Sequence, residues 1–274
     1  MSRHAIRVAL VIIAFTAAGA IAIGDVARRS TARKLRNAIL AELQPVVLKN
    51  CTLKRFGSAN DGGYLMCENL MEPLDAAYSY GVGPNDEWAC EVSRRYHVPA
   101  HQYDCFDPAR PTCDDGTFVF HNECVGNRTE HRGSHFFDTL ENQIMKNGDS
   151  GRHLIIKMDI EGAEWDSLLA APEELLASIP QITMEMHGFD DPKIVEVLRK
   201  LKRNFYLVNL HFNNWSCTPK AAPLPAWAYQ THWVNKRIGV PDPAAPVPAP
   251  MSPLNAPDSP TWPDCQLRTA RSAP

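Results

Sequence analysis

The chain predicts an α/β fold built on a mostly parallel, doubly wound sheet, and three observations predict it. From Ala77 onward, short hydrophobic stretches alternate with amphipathic helical ones, the pattern of successive β-α units. The run His153-Leu-Ile-Ile-Lys157-Met-Asp159-Ile-Glu161-Gly162-Ala-Glu164-Trp165 turns abruptly from apolar to acidic. A buried strand reads this way when it delivers carboxylates to the carboxyl edge of a sheet, where α/β proteins bind ligands. The last two apolar stretches are separated by a Pro-containing loop, Asn213 to Trp227, and not by a helix. They therefore form an antiparallel pair that closes the sheet.

In order, strands are expected at Ala77–Tyr80, Ala100–Phe106, Thr117–Asn122, Leu154–Asp159, Gln181–Met186, Phe205–His211 and Ala228–Val234. Helices are expected at Glu87–Tyr96, Phe136–Lys146, Trp165–Ala170 with Pro172–Ser178, and Pro192–Lys202. Upstream, Asp61-Gly62-Gly63 between Arg55-Phe56 and Tyr64-Leu-Met66 signals a hairpin turn. The same turn is a possible cover for a bound ligand. The chain divides into an N-terminal apolar segment (1–24), a helical linker (25–52), a folded body (53–238) and a Pro- and Ala-rich tail (239–274). The tail has too little apolar surface to fold and is expected to be disordered.

With 274 residues, 45% hydrophobic and 22% charged, the chain can hold one sizeable core. A net charge of −3 and no long basic stripe exclude a nucleic-acid footprint. Val8 to Ile23 carries no charge and follows Arg3 and Arg7. As a helix of ~1.5 Å per residue it is slightly short of a ~30 Å hydrocarbon core. A signal anchor lengthened by a snorkelling Arg7 is the favoured reading, which attaches the protein to a membrane as a single-pass chain. A cleaved signal peptide, cut near Ala18-Gly-Ala20 or Ala20-Ile-Ala22, is the alternative; a buried core helix fits least. Orientation stays open. Arg28, Arg29, Arg33, Lys34 and Arg36 favour a cytosolic body. Eight cysteines and sequons at Asn50, Asn127 and Asn214 suit a lumenal one. No C-x-x-C pair is present, which argues against a zinc module.

The residues with chemistry to offer fall at the carboxyl ends of the expected strands. The first ends in Tyr80-Gly81-Val82-Gly83-Pro84-Asn85-Asp86-Glu87, where Gly81 and Gly83 let the backbone turn sharply against a ligand. A dinucleotide fingerprint needs a third glycine where Asp86 stands. Asp86 and Glu87 repel a pyrophosphate but tolerate the sulfonium and amino groups of S-adenosylmethionine. The second strand ends at Asp104 and Asp107, and a carboxylate there accepts ribose hydroxyls; Asp107 is preferred because Asp107-Pro108 terminates the strand. The third brings Asn122 to where an adenine edge would lie. Asp159 ends the fourth, Glu185 and His187 the fifth, His211, Asn213 and Asn214 the sixth. Histidine has an ordinary pKa of ~6.5, which suits a general base, and His187 is preferred over His211. Lys157 is expected to pair with a carboxylate. Every one of these residues also fits an ordinary strand end or helix start.

The ordered series YGVG, FDP, HNECVG, KMDIEGAEW and ITMEMH resembles the FkbM-like S-adenosylmethionine-dependent methyltransferases. With RFGSANDGGYLMC, NLHFNNWSC and HWVNK it is most similar to the methyltransferase-like protein 24 group, from Arg55 to Lys236. The resemblance implies a Rossmann-like class I methyltransferase domain, with a seven-stranded sheet whose last strand is antiparallel. It further implies S-adenosyl-L-methionine held by Gly81, Gly83 and Asp107, with Asp159 facing the reaction centre; the strand ends add Tyr80, Asn122 and Asp159 to the expected cofactor contacts. The expected reaction is methyl transfer to an oxygen of a small-molecule or glycan acceptor, with Asp159, His187 and His211 at the reaction centre. A lumenal glycosyltransferase using Asp159-Ile-Glu161 as a Mn²⁺-binding pair is the competing enzyme class. A catalytically inactive cofactor-binding member is the competing non-enzyme.

Overall fold

The computed structural model describes residues 28–266 apart from 72, 108, 109, 247–251 and 253. The expected N-terminal membrane segment lies outside the described residues. Among them no helix is long and apolar enough to cross a membrane.

Seven strands form the central sheet: β3 (Ala76–Tyr80), β4 (Pro99–Tyr103), β5 (Thr117–His121), β9 (Leu154–Met158), β10 (Gln181–His187), β11 (Phe205–Phe212) and β12 (Ala228–Asn235). Their order across the sheet is β11-β12-β10-β9-β3-β4-β5. β12 is antiparallel to both of its neighbours, and β10, β9, β3, β4 and β5 pair in parallel. This mixed, mostly parallel sheet is compatible with a Rossmann-like fold. β3, β9, β10 and β12 are buried along their whole length. That accounts for their unbroken apolar runs, since helices cover both faces of a parallel sheet.

The covering helices are α2 (Glu87–Tyr96), α3 (Leu140–Lys146), α4 (Glu164–Ala170), α5 (Glu173–Ser178) and α6 (Lys193–Asn204). Asp86 caps α2 by accepting the amide of Ala89, and Thr139 caps α3 through Asn142. Ahead of the sheet, β1 (Leu53–Gly57) and β2 (Gly63–Cys67) pair antiparallel as the Asp61-Gly62-Gly63 turn signals.

Two expectations are corrected. The stretch Phe136–Lys146 is not one helix. Its first residues belong to β8 (His135–Thr139), which pairs with β6 (Cys124–Gly126) and β7 (Glu130–Arg132) in a separate three-stranded sheet. Two aromatic residues and Thr139, the cap of α3, favour extended backbone there, and helix begins only at Leu140. The expected helical linker contains α1 (residues 28–42), which packs on the body. Its Ile39 is fully buried in the main core, while Arg36 pairs with Asp190 and Glu42 with Arg199 and Lys202. The tail is not disordered throughout, because residues 254–266 lie across the carboxyl end of β11 and the amino end of its antiparallel partner β12. Apolar burial does not hold them there. Cys217–Cys265 clips them covalently, and Asn214, Gln230 and Asn209 hydrogen-bond Ser259, Asp258 and Asn255.

All eight cysteines of the chain are paired, as Cys51–Cys67, Cys90–Cys113, Cys105–Cys124 and Cys217–Cys265.

Candidate active site

A cavity of about 800 Å³ opens at the carboxyl ends of β3, β4 and β9. Its floor is the Tyr80-to-Asn85 turn. Gly81 has φ +75°, and a Cβ there would sit 1.7 Å from the carbonyl oxygen of Asp159. Only glycine lets the β3 and β9 ends close on each other at this point. Gly83 also has a positive φ, +52°, but nothing lies within 4 Å of its missing Cβ. The strand ends are tied by main-chain bonds that extend the ladders, Gly81 N–H to Tyr103 O and Asp159 N–H to Tyr80 O. Beneath them Lys157 donates to the carbonyls of Tyr80 and Gly81 and lies 3.7 Å from Asp159. The expected carboxylate partner is thus present, shared with two carbonyls.

One wall is aromatic. Tyr80 and Tyr103 stack with ring centroids 5.0 Å apart, and His121 stacks on Tyr103. The Tyr80 hydroxyl is buried without a hydrogen-bond partner, and burial holds its pKa well above the phenol range. Asp104, Cys105 and Phe106 follow Tyr103 in the lining. Asp104 accepts three amides, from Val82, Phe106 and Asp107, and so ties the glycine turn to the β4 end. Asp107 and Asn122 do not line the cavity. Cys124 and Val125 of β6 stand where Asn122 was expected. Arg132, Phe137, Asp61 and Gly62 complete the rim, the last two bringing the β1–β2 hairpin turn over the cavity.

Asp159 lies at the inner end of the cavity, beside a cluster of charge. Its Oδ2 accepts the Tyr64 hydroxyl at 3.0 Å. His187 Nε2 lies 3.8 Å from Asp159, 3.7 Å from Glu161 and 3.9 Å from Glu185. The other imidazole nitrogen, Nδ1, is bonded at 2.8 Å to Glu164, which is fully buried and also accepts the Ile160 amide. Burial opposes a charge on His187, but Glu164, Glu185 and Asp159 outweigh it and raise its pKa to about 9. The surrounding acids thus favour the charged imidazole over the neutral one. Glu185, buried and hydrogen-bonded by Asn213, is pushed up to about 8 by desolvation and by Asp159 and Asp258.

His211 does not reach this cavity. It is fully buried under the tail, 3.3 Å from Asp264 and 4.0 Å from Asp258, with its pKa lowered chiefly by burial. The residues that sequence reasoning missed are Glu164, Arg132, Phe137, Asp258 and Asp264. Glu164 reads as a dipole-matched helix start, and no local signal places β7, β8 or the tail against the site.

No family model matches the chain, and no curated protein matches it. What stands is a mostly parallel α/β sheet with a glycine-floored cavity at its carboxyl edge.

Proposed function

We propose that the protein is an S-adenosylmethionine-dependent methyltransferase acting on a hydroxyl oxygen of a small-molecule or glycan acceptor. The observation that carries this reading is the cavity floored by Gly81, of the size a nucleoside-type ligand needs. The strand order, with one reversed strand next to the edge, supports a class I methyltransferase topology. The lining charges support it too: Asp61, Asp104, Asp159 and Glu161 outnumber Arg132 and Lys157. That balance favours a cationic sulfonium ligand over a pyrophosphate. The lining fits, with Asp104 placing a carboxylate beside the glycine turn.

The bound cofactor supplies an activated methyl group, so the chain has only to position an oxygen and take its proton. Asp159 is the acceptor-orienting carboxylate, held by Tyr64 and open to the cavity. The acids around His187 favour its protonated form, so a carboxylate, Asp159, is the better placed group to receive the hydroxyl proton. Trp227, partly exposed and 5.9 Å from the His187 ring, offers a face for an acceptor ring.

Calorimetry of the full chain tests the reading. Saturable binding of S-adenosylhomocysteine is expected; binding of a UDP-sugar with Mn²⁺ in its place would establish the glycosyltransferase class instead. Four disulfides further support a body in an oxidising compartment, attached by the N-terminal segment. Of the three sequons, only Asn127 is exposed, while Asn214 spends its amide on Ser259 and Trp262. Glycosidase treatment of the secretory-pathway protein should give one mass shift, removed by Asn127→Gln. A fully reduced, unglycosylated protein would place the body in the cytosol.

A further inference from the structure

The cluster around His187 has a geometry that methyl transfer does not require. We propose that Asp159, Glu161 and His187, backed by Glu185, bind a divalent cation of the Mn²⁺ type at the inner end of the cavity. The ligating atoms of Asp159, Glu161 and His187 all lie within 4.8 Å of one another. From His187 Nε2 the three carboxylates stand at 3.7–3.9 Å, too far for hydrogen bonds. Ligands at ~2.1–2.2 Å from one ion sit about 3 Å apart, so a shift of under ~1 Å per pair closes the set.

His187 supplies the independent observation. Its side chain is only 8% exposed, and Nε2, which makes no hydrogen bond, faces three carboxylates at ion-pair distance; an ion bound there takes the place of the proton that these acids favour. Nδ1 is fixed by Glu164, which is completely buried on the adjoining helix. A carboxylate that holds one imidazole nitrogen so that the other faces a ligand is the usual outer support of a metal-bound histidine. Charge points the same way: Asp159, Glu161 and Glu164 face His187 and Lys157, and the Lys157 ammonium is engaged by two carbonyls. Several carboxylates with one imidazole form a mainly oxygen set, suited to Mn²⁺ more than to a thiolate-preferring ion. At this position the ion would hold an acceptor through two neighbouring oxygens, as in a vicinal diol or hydroxy acid. That acceptor class rests on the methyltransferase reading; cation binding itself does not.

The test is Mn²⁺ titration of the full chain, followed by calorimetry and pulsed electron paramagnetic resonance, with and without S-adenosylhomocysteine. One saturable Mn²⁺ with nitrogen coupling is expected. Glu161→Gln, whose side chain is 81% exposed and carries little folding risk, should weaken binding at least about tenfold. His187→Gln should abolish the nitrogen coupling. Saturable Mn²⁺ binding with that coupling but no S-adenosylhomocysteine binding would uphold the cation site and sink the methyltransferase reading. S-adenosylhomocysteine binding without saturable Mn²⁺ would do the reverse. Mn²⁺ binding unchanged in both variants, or lost only in Asp258→Asn at the neighbouring Asp61–Glu185–Asp258 group, would overturn the proposal.

Discussion

The carboxyl edge of the sheet has two halves built by different means. On the β4–β3–β9 side the backbone makes the site: two left-handed glycines, strand ends tied by main-chain bonds, and an open cavity beside them. On the β10–β12–β11 side side chains make it. Glu185, His187, His211 and Asp258 are buried charges or potential charges, and a clipped tail roofs part of them. The first half depends on residues close in sequence. The second depends on partners as far apart as His211 and Asp264, so its chemistry is set by tertiary closure.

The largest expected effect separates the halves through the tail. The Cys217–Cys265 link closes a separation of 48 residues, and removing it by Cys217→Ser with Cys265→Ser should cost about 4 kcal/mol of stability. Thermal melting reads the loss, and S-adenosylhomocysteine affinity should stay within about twofold; a large affinity loss would make the two halves one unit. Gly81→Ala acts on the other half. The clash with the Asp159 carbonyl should cut cofactor affinity more than about 100-fold, ~2.7 kcal/mol, by calorimetry. Gly83→Ala, with open space around it, should cost only the ~1–2 kcal/mol of a left-handed alanine. Equal effects would refute the backbone-built floor.

A smaller effect distinguishes the two aspartates of the β4 end. Asp104→Ala loses three amide contacts and should weaken binding by roughly 1.5–3 kcal/mol, whereas Asp107→Asn should change it less than about threefold. The reverse order would restore Asp107 as the ribose carboxylate.

The smallest effect per step is one of pH, below the sheet edge. His232 is fully buried beside Gln181, and burial lowers its pKa to about 3. The unfolded chain binds this proton below ~6.5 while the folded one does not. Its contribution is therefore intact above ~6.5 and lost as pH falls toward 3, at up to ~1.4 kcal/mol per pH unit. Denaturant unfolding at several pH values should show that slope and lose it in His232→Gln; an unchanged slope would assign it to other groups.

The strands of the central sheet were legible because their burial on both faces leaves unbroken apolar runs, and Glu87–Tyr96 was legible to the residue because Asp86 and His97 bound it. That Gly81, Gly83 and Asp159 reach the cavity lining was legible from local signals too, a glycine turn and an acid ending an apolar run. Phe136 and Phe137 misled because aromatic residues before a helix cap carry no helical period of their own. The pKa of His187 could not be read at all. It depends on Glu164 twenty-three positions away, whose acidic character alone suggests only a helix start. The tail misled because composition measures apolar burial and says nothing of a disulfide.

The clipped tail has a consequence for synthesis. Asp258, Asp264 and Cys265 emerge from the ribosome after every strand of the sheet. A nascent chain can thus close its glycine-floored cavity while His211 and Gln230 still lack their carboxylate partners. A premature stop a few residues after β12 would leave a protein with one half of its edge finished and the other bare to water. Such truncations belong among losses of maturation, distinct from losses of the core.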